Sequence, residues 1–185
     1  MPRRPTFWAS YNRSMFQQNT KQHLLGVYLL AFCLCAMSGD ASAGDKADLV
    51  IIIKSARILS LYKGEHLLGS YPVAFGANPV GHKQQEGDER TPEGRYVLDL
   101  KKADSAFHRA IHISYPNAQD MESAKKRGVS PGGSIMIHGQ KNGYGWASFI
   151  TQFFNWTDGC VALSNEDMDV LWEAVDAGTP IEIKP

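Results

Sequence analysis

A cysteine attacks as its thiolate, and near neutral pH it needs a neighbouring base to become one. Cys160, in Trp156-Thr157-Asp158-Gly159-Cys160-Val161, stands alone for this purpose, because Cys33 and Cys35 fall in an apolar N-terminal run. A lone thiol either packs as an inert small hydrophobe or reacts. No histidine follows Cys160, so a partner imidazole must lie upstream. His138 is best placed: it ends the apolar stretch Ile135-Met136-Ile137 and precedes Gly139, which puts an imidazole at a strand terminus beside open backbone. His66 and His82 lie in polar, turn-like stretches, and His108 and His112 flank a strand leading into Ser114-Tyr115-Pro116. Of these, His112 is the reserve base. His138, Asp158 and Cys160 would offer three zinc ligands, but the paired spacings of metal sites are missing, so neither metal nor other cofactor is expected.

The elements that carry these residues follow a leader. Arg3, Arg4, Arg13 and Lys21 precede the apolar run Leu24 to Met37, and Ala41-Ser42-Ala43 supplies the small residues of a cleavage site. Residues 1–43 therefore read as a secretory signal, cleaved after Ala43, and the chain is expected in the periplasm or cell envelope. The run is short of the ~20 residues that span a bilayer, which makes a retained anchor the second choice. Export also means an oxidising compartment, where a cysteine with no partner in the chain cannot serve as an internal staple.

What remains, residues 44–185, is the length of one domain. The whole chain is charge-neutral, and removing four basic residues with the single Asp40 leaves a domain with an acidic excess of about three charges. Nucleic acid is thereby an unsuitable partner, and a monomer is expected.

Short apolar or alternating runs punctuated by glycine predict a mainly β fold with a few helices. Asp48 to Lys54 reads as a buried strand, and Arg57 to Tyr62, Lys63-Gly64-Glu65 and His66 to Val73 as a hairpin. Further strands are predicted at Arg95 to Leu100, Arg109 to Ser114, Ser134 to His138 and Thr179 to Lys184. Asn117 to Arg127, closed by Gly128, predicts one helix. Ser164 caps another, with Met168, Leu171, Trp172 and Val175 as its core stripe. Trp146, Phe149, Phe153, Phe154 and Trp156, between His138 and Cys160, read equally as core or as a lid.

His138-Gly139 followed by Thr157-Asp158-Gly159-Cys160-Val161 resembles the signature of the L,D-transpeptidase (YkuD) family, in which a histidine precedes Ser or Thr, His, Gly and Cys. Thr91-Pro92-Glu93-Gly94-Arg95-Tyr96, Tyr71 to Gly76 and Asp167 to Leu171 are similar to three more of its segments, and the resemblance runs from about Asp48 to Pro185. Two positions depart: Asp158 replaces the second histidine, and Ala162 replaces an Arg or Asn. Gly81-His82-Lys83, Gly87-Asp88 and Arg90-Thr91-Pro92 are closer to the YafK-like branch, which includes enzymes that detach a protein from peptidoglycan.

The resemblance implies a β-sandwich with mixed sheets. It also implies attack by Cys160 on a peptidoglycan stem peptide, with His138 as base and then as acid, through a thioester. An amine of a second stem peptide, or of a wall-linked envelope protein, would resolve it; water would make the same site an endopeptidase. Gly139, Thr157, Asp158, Gly159 and His112 are the supporting candidates, the Gly159 and Cys160 N–H groups as oxyanion donors and Asp158 either orienting His138 or capping a turn. A wall-binding domain without turnover is the alternative of another class.

Overall fold

The computed structural model describes residues 44–185; the expected leader lies outside them. The order of eight strands in one sheet is β3-β2-β1-β8-β4-β5-β6-β7. The apolar run gives β1 (Leu49–Ile53), and the predicted hairpin gives β2 (Ile58–Lys63) and β3 (His66–Pro72), with β2 antiparallel to both β1 and β3. Gly64 makes the hairpin turn at φ 57°, a left-handed conformation that glycine adopts without penalty. The C-terminal strand β8 (Thr179–Lys184) is interior to the sheet, parallel to β1 and antiparallel to β4 (Gly94–Lys102). Next comes β5 (Ala110–Ile113), antiparallel to both β4 and β6 (Met136–His138).

The last strand, β7 (Val161–Ala162), was not predicted and is only two residues long; it runs parallel to β6. Past β3 the chain continues to Ala74, which bridges Ala162, so the sheet curls until its two ends meet. The expected mainly β sandwich thus takes the form of one curled mixed sheet. Alternate residues point inward from every wall: Val50 and Ile52, Leu59 and Leu61, Ile111 and Ile113 are all at most 1% exposed.

Helix α1 (Ala118–Arg127) begins at Asn117, whose side chain accepts the Gln119 and Asp120 N–H groups while Asp120 accepts that of Asn117. It ends at Gly128, with φ 69°. A 3₁₀ turn (Gly145–Ala147) and the short α2 (Ser148–Thr151) were not predicted. Helix α3 (Asn165–Ala174) starts at Ser164 as expected and buries Met168 and Leu171. It stops one residue short of the predicted stripe, and extended Val175 still reaches the core.

The long excursion between β3 and β4 is closed at its base by one buried cation. Lys54, 6% exposed, donates to the Gly81 and Thr91 carbonyls and to Glu93 Oε1 at 2.7 Å. Removing one partner of a buried pair leaves the other charge uncompensated. Lys54→Ala is therefore expected to cost about 3 kcal/mol or more in urea unfolding; a midpoint equal to wild type would show that this clamp does not hold the excursion.

Candidate active site

Strand register alone places the two chief candidates together. Ile137 pairs in parallel with Val161, and both are fully buried on the core side. Alternation then turns Met136 and His138 of β6, and Cys160 and Ala162 around β7, to the opposite face. His138 lies level with Ala162, and Cys160 directly precedes the pair Ile137–Val161. The base and the thiol predicted from sequence therefore share one face of two adjacent strands.

His138 is 3% exposed, with the Phe107 ring centroid 4.1 Å away and the Trp156 ring edge-on at 5.8 Å. Its Nδ1 lies 2.6 Å from the Gly139 carbonyl oxygen. An oxygen there can only accept, so Nδ1 carries the proton and Nε2 is left with a lone pair. Burial holds the imidazole below its ordinary pKa, and the Gly139 hydrogen bond opposes that only in part. Gly139 itself cannot be larger, because a Cβ there would meet the His108 carbonyl at 2.7 Å and Asn165 Oδ1 at 2.8 Å.

The Cys160 thiol is half-buried. Its Sγ accepts the Met136 N–H at 3.4 Å and donates to the Ser134 carbonyl at 3.8 Å. Burial pushes the thiol up from its ordinary pKa, and Asp158 adds to this, whereas the Met136 N–H and the Lys83 ammonium pull it down. Thiol and imidazole are thus each shifted toward the neutral form. The Sγ bonds go to Met136 and Ser134 and the Nδ1 bond to Gly139, so each group is held by backbone partners of its own.

The turn before the thiol is tied by Thr157. Its hydroxyl donates to the Cys160 carbonyl at 2.7 Å and accepts the Gly159 N–H at 3.2 Å, while its backbone pairs with Phe75 and Ala77. Thr157, not Asp158, therefore makes the turn's side-chain hydrogen bonds; Asp158 is exposed. The Gly159 N–H is already engaged, so of the two oxyanion donors expected, only the Cys160 N–H lacks a partner among the described residues. Gly159 sits at φ 124°, and a Cβ on it would lie 2.7 Å from the Arg90 carbonyl, which fixes glycine beside Cys160.

His112 shares the face, and its side-chain hydrogen bond goes to neither candidate. It pairs with Met136 across β5 and β6, and its Nδ1 lies 2.6 Å from Asp99 Oδ1. Trp146, Phe149, Phe153 and Phe154 are 62–74% exposed, which rules out the core reading for these four; Trp156 is half-buried against His138. Sequence reasoning missed the anchors of this segment. Buried Gln140 donates to the Leu163 carbonyl and accepts the Thr151 hydroxyl, and Arg57 donates to the carbonyls of Gln152 and Phe153. Isolated polar residues in a loop carry no periodic signal that would have marked them.

The L,D-transpeptidase catalytic domain (YkuD) model matches residues 47–183. YafK of Escherichia coli strain K12, provisionally an L,D-transpeptidase, is 32% identical over 130 residues, covering 67% of this chain and 45% of that protein. The fold is similar to Pgp2 of Campylobacter jejuni, a helical cell shape determining protein, at TM-score 0.58 and 25% identity over 76% of this chain and 49% of that one. An L,D-transpeptidase from Xylanimonas cellulosilytica shares the fold, with TM-score 0.51 and 18% identity over 75% of this chain and 61% of that one. The chain spans about half the length of YafK and of Pgp2.

The lowered imidazole gives a pH signature. On acidification the unfolded chain takes up its His138 proton first, near the ordinary value of about 6.5, while the folded state resists until a lower pH. Stability contributed by burying the neutral ring is thus complete above that value and declines below it. The urea midpoint of His138→Gln is expected to fall less than that of wild type between about pH 7 and pH 5; parallel declines would contradict the burial of a neutral imidazole.

Proposed function

Because the chain belongs to the YkuD family of L,D-transpeptidase catalytic domains, we propose that it is a cysteine-dependent acyl transferase acting on peptidoglycan stem peptides. The observation that carries the reading is the placement of His138 and Cys160 on one face of adjacent parallel strands inside the matched domain. Cys160 Sγ attacks the carbonyl that precedes the terminal D-residue, and His138 Nε2 takes the thiol proton. The oxyanion that develops is met by the Cys160 N–H. His138 then returns its proton to the leaving amine of the D-amino acid, and a thioester remains on Cys160.

An amine resolves the thioester, supplied by a second stem peptide or by an envelope protein, so the product is a cross-link or an attachment. The N-terminal leader supports export to the periplasm, where this substrate lies. The likeness to Pgp2, named for determining helical cell shape, supports a part in shaping the wall.

Incubation with a purified stem tetrapeptide should release free D-alanine, detected by mass spectrometry. Cys160→Ala is expected to lower the rate by at least about 10⁴-fold with the melting temperature little changed, because no other group in the site can carry the acyl intermediate. Release at the wild-type rate from Cys160→Ala would overturn the proposal.

A further inference from the structure

The face that carries the thiol consists of two cross-strand rows with different exposure. In one row, Ala110, His138 and Ala162 lie side by side across β5, β6 and β7, each at most 3% exposed. Phe107 and Trp156 pack over its histidine. In the next row, His112 pairs with Met136, and Cys160, just before β7, stands level with Met136 on its other side. All three are partly exposed. The covered row holds one imidazole; the open row is the floor on which a substrate bound at Cys160 must lie, and it ends at a second imidazole.

That second imidazole is prepared for proton transfer. Ile111 and Ile113 on either side of His112 are fully buried, so alternation fixes the His112 side chain on the thiol's face. Asp99, at the irregularity in the pairing of β4 with β5, approaches Nδ1 to 2.6 Å. A carboxylate there accepts the Nδ1 proton, orients the ring and leaves the Nε2 lone pair free. Two strand spacings, about 10 Å, separate the backbones of His112 and Cys160. Met136 stands between them in the row, so an acceptor attacking an acyl group on Cys160 would lie across Met136, with His112 on its far side.

We propose that His112, oriented by Asp99, is the base for the second half-reaction: it accepts the proton from the nucleophile that resolves the thioester on Cys160. This rests on the reading of Cys160 as the acylated residue. A neutral amine of the acceptor attacks the thioester carbon, and a C–N bond forms. The nitrogen's proton passes to His112 Nε2, the C–S bond breaks, and Cys160 leaves as its thiolate. Imidazolium at His112 then releases its proton to solvent. Water in place of the amine follows the same course and gives the free acid. The two histidines divide the labour, with His138 serving thiol and leaving group from the covered row and His112 serving the acceptor from the open one.

Rapid-quench intact-mass spectrometry separates the two half-reactions. Protein mixed with a stem tetrapeptide acquires the acyl group; a second stem peptide with a free amine is then added and decay of the adduct is followed. In His112→Gln, whose amide is polar but is no base, acylation is expected within about threefold of wild type and decay slowed by roughly 10²-fold or more, so that the acyl-enzyme accumulates. Asp99→Asn is expected to slow decay by about tenfold, again without loss of acylation. Wild-type decay in His112→Gln would overturn the assignment, as would equal losses in both half-reactions, which mark a structural role. Failure of the wild-type protein to acquire any adduct would instead remove the Cys160 reading and the role of His112 with it.

Discussion

The parallel pairing of β6 with β7 is the constraint on which the site depends. Two residues of strand are enough, because Ile137 opposite Val161 sends both apolar side chains into the core and forces their neighbours onto the other face. A slip of one residue would bury Cys160 and expose Val161. Parallel strands cannot be joined by a tight turn; they need a crossover of a dozen residues or more. The segment from Gly139 to Gly159 is that crossover, and this explains both its length and its poor periodicity. It does not return as one long helix. Polar side chains pin it at points instead: Gln140 and Asn165 at the start, Arg57 near the end, and Asn155 through its contact with Phe75. The exposed aromatics lie on the stretch between those pins.

Close backbone packing then sets the turn that leads into Cys160. The β3–β4 excursion, closed by Lys54, brings the carbonyls of Glu89 and Arg90 against Gly76 and Gly159, and a Cβ on Gly76 would lie 2.0 Å from the Glu89 oxygen. Within the excursion Lys83 pairs with Asp88 at 2.8 Å, and Asp88 accepts three backbone N–H groups besides. These bonds tie Lys83 within the loop, and Lys83 is among the groups that favour the thiolate. Burial works against it on both partners. For His138, the burial that lowers its pKa comes with packing under Phe107 and Trp156.

Much of this was legible in the sequence, for identifiable reasons. Alternating and continuous apolar runs located β1 to β6 and β8, and cap residues located α1 and α3: Asn117 with Gly128, and Ser164. The cysteine count and the absence of a later histidine narrowed the chemistry to Cys160 and an upstream imidazole. The strand β7 was not legible, since two residues carry no period. Nor was the role of Thr157, because sequence cannot choose between neighbouring Thr157 and Asp158 for a turn bond that either side chain is able to make. The Asp99–His112 pair was hidden for a third reason: the partners sit on different strands, and an irregular register brings them together.

The account turns on His138 acting upon Cys160 across one parallel strand pair. The most direct test is the initial rate at which a stem tetrapeptide acylates the protein, with the modified residue mapped by peptide mass. Wild type is expected to carry the acyl group on Cys160, and His138→Ala to acylate at least about 10²-fold more slowly while its thiol remains open to alkylation. Acylation of His138→Ala at the wild-type rate, or an adduct on any residue other than Cys160, would contradict it.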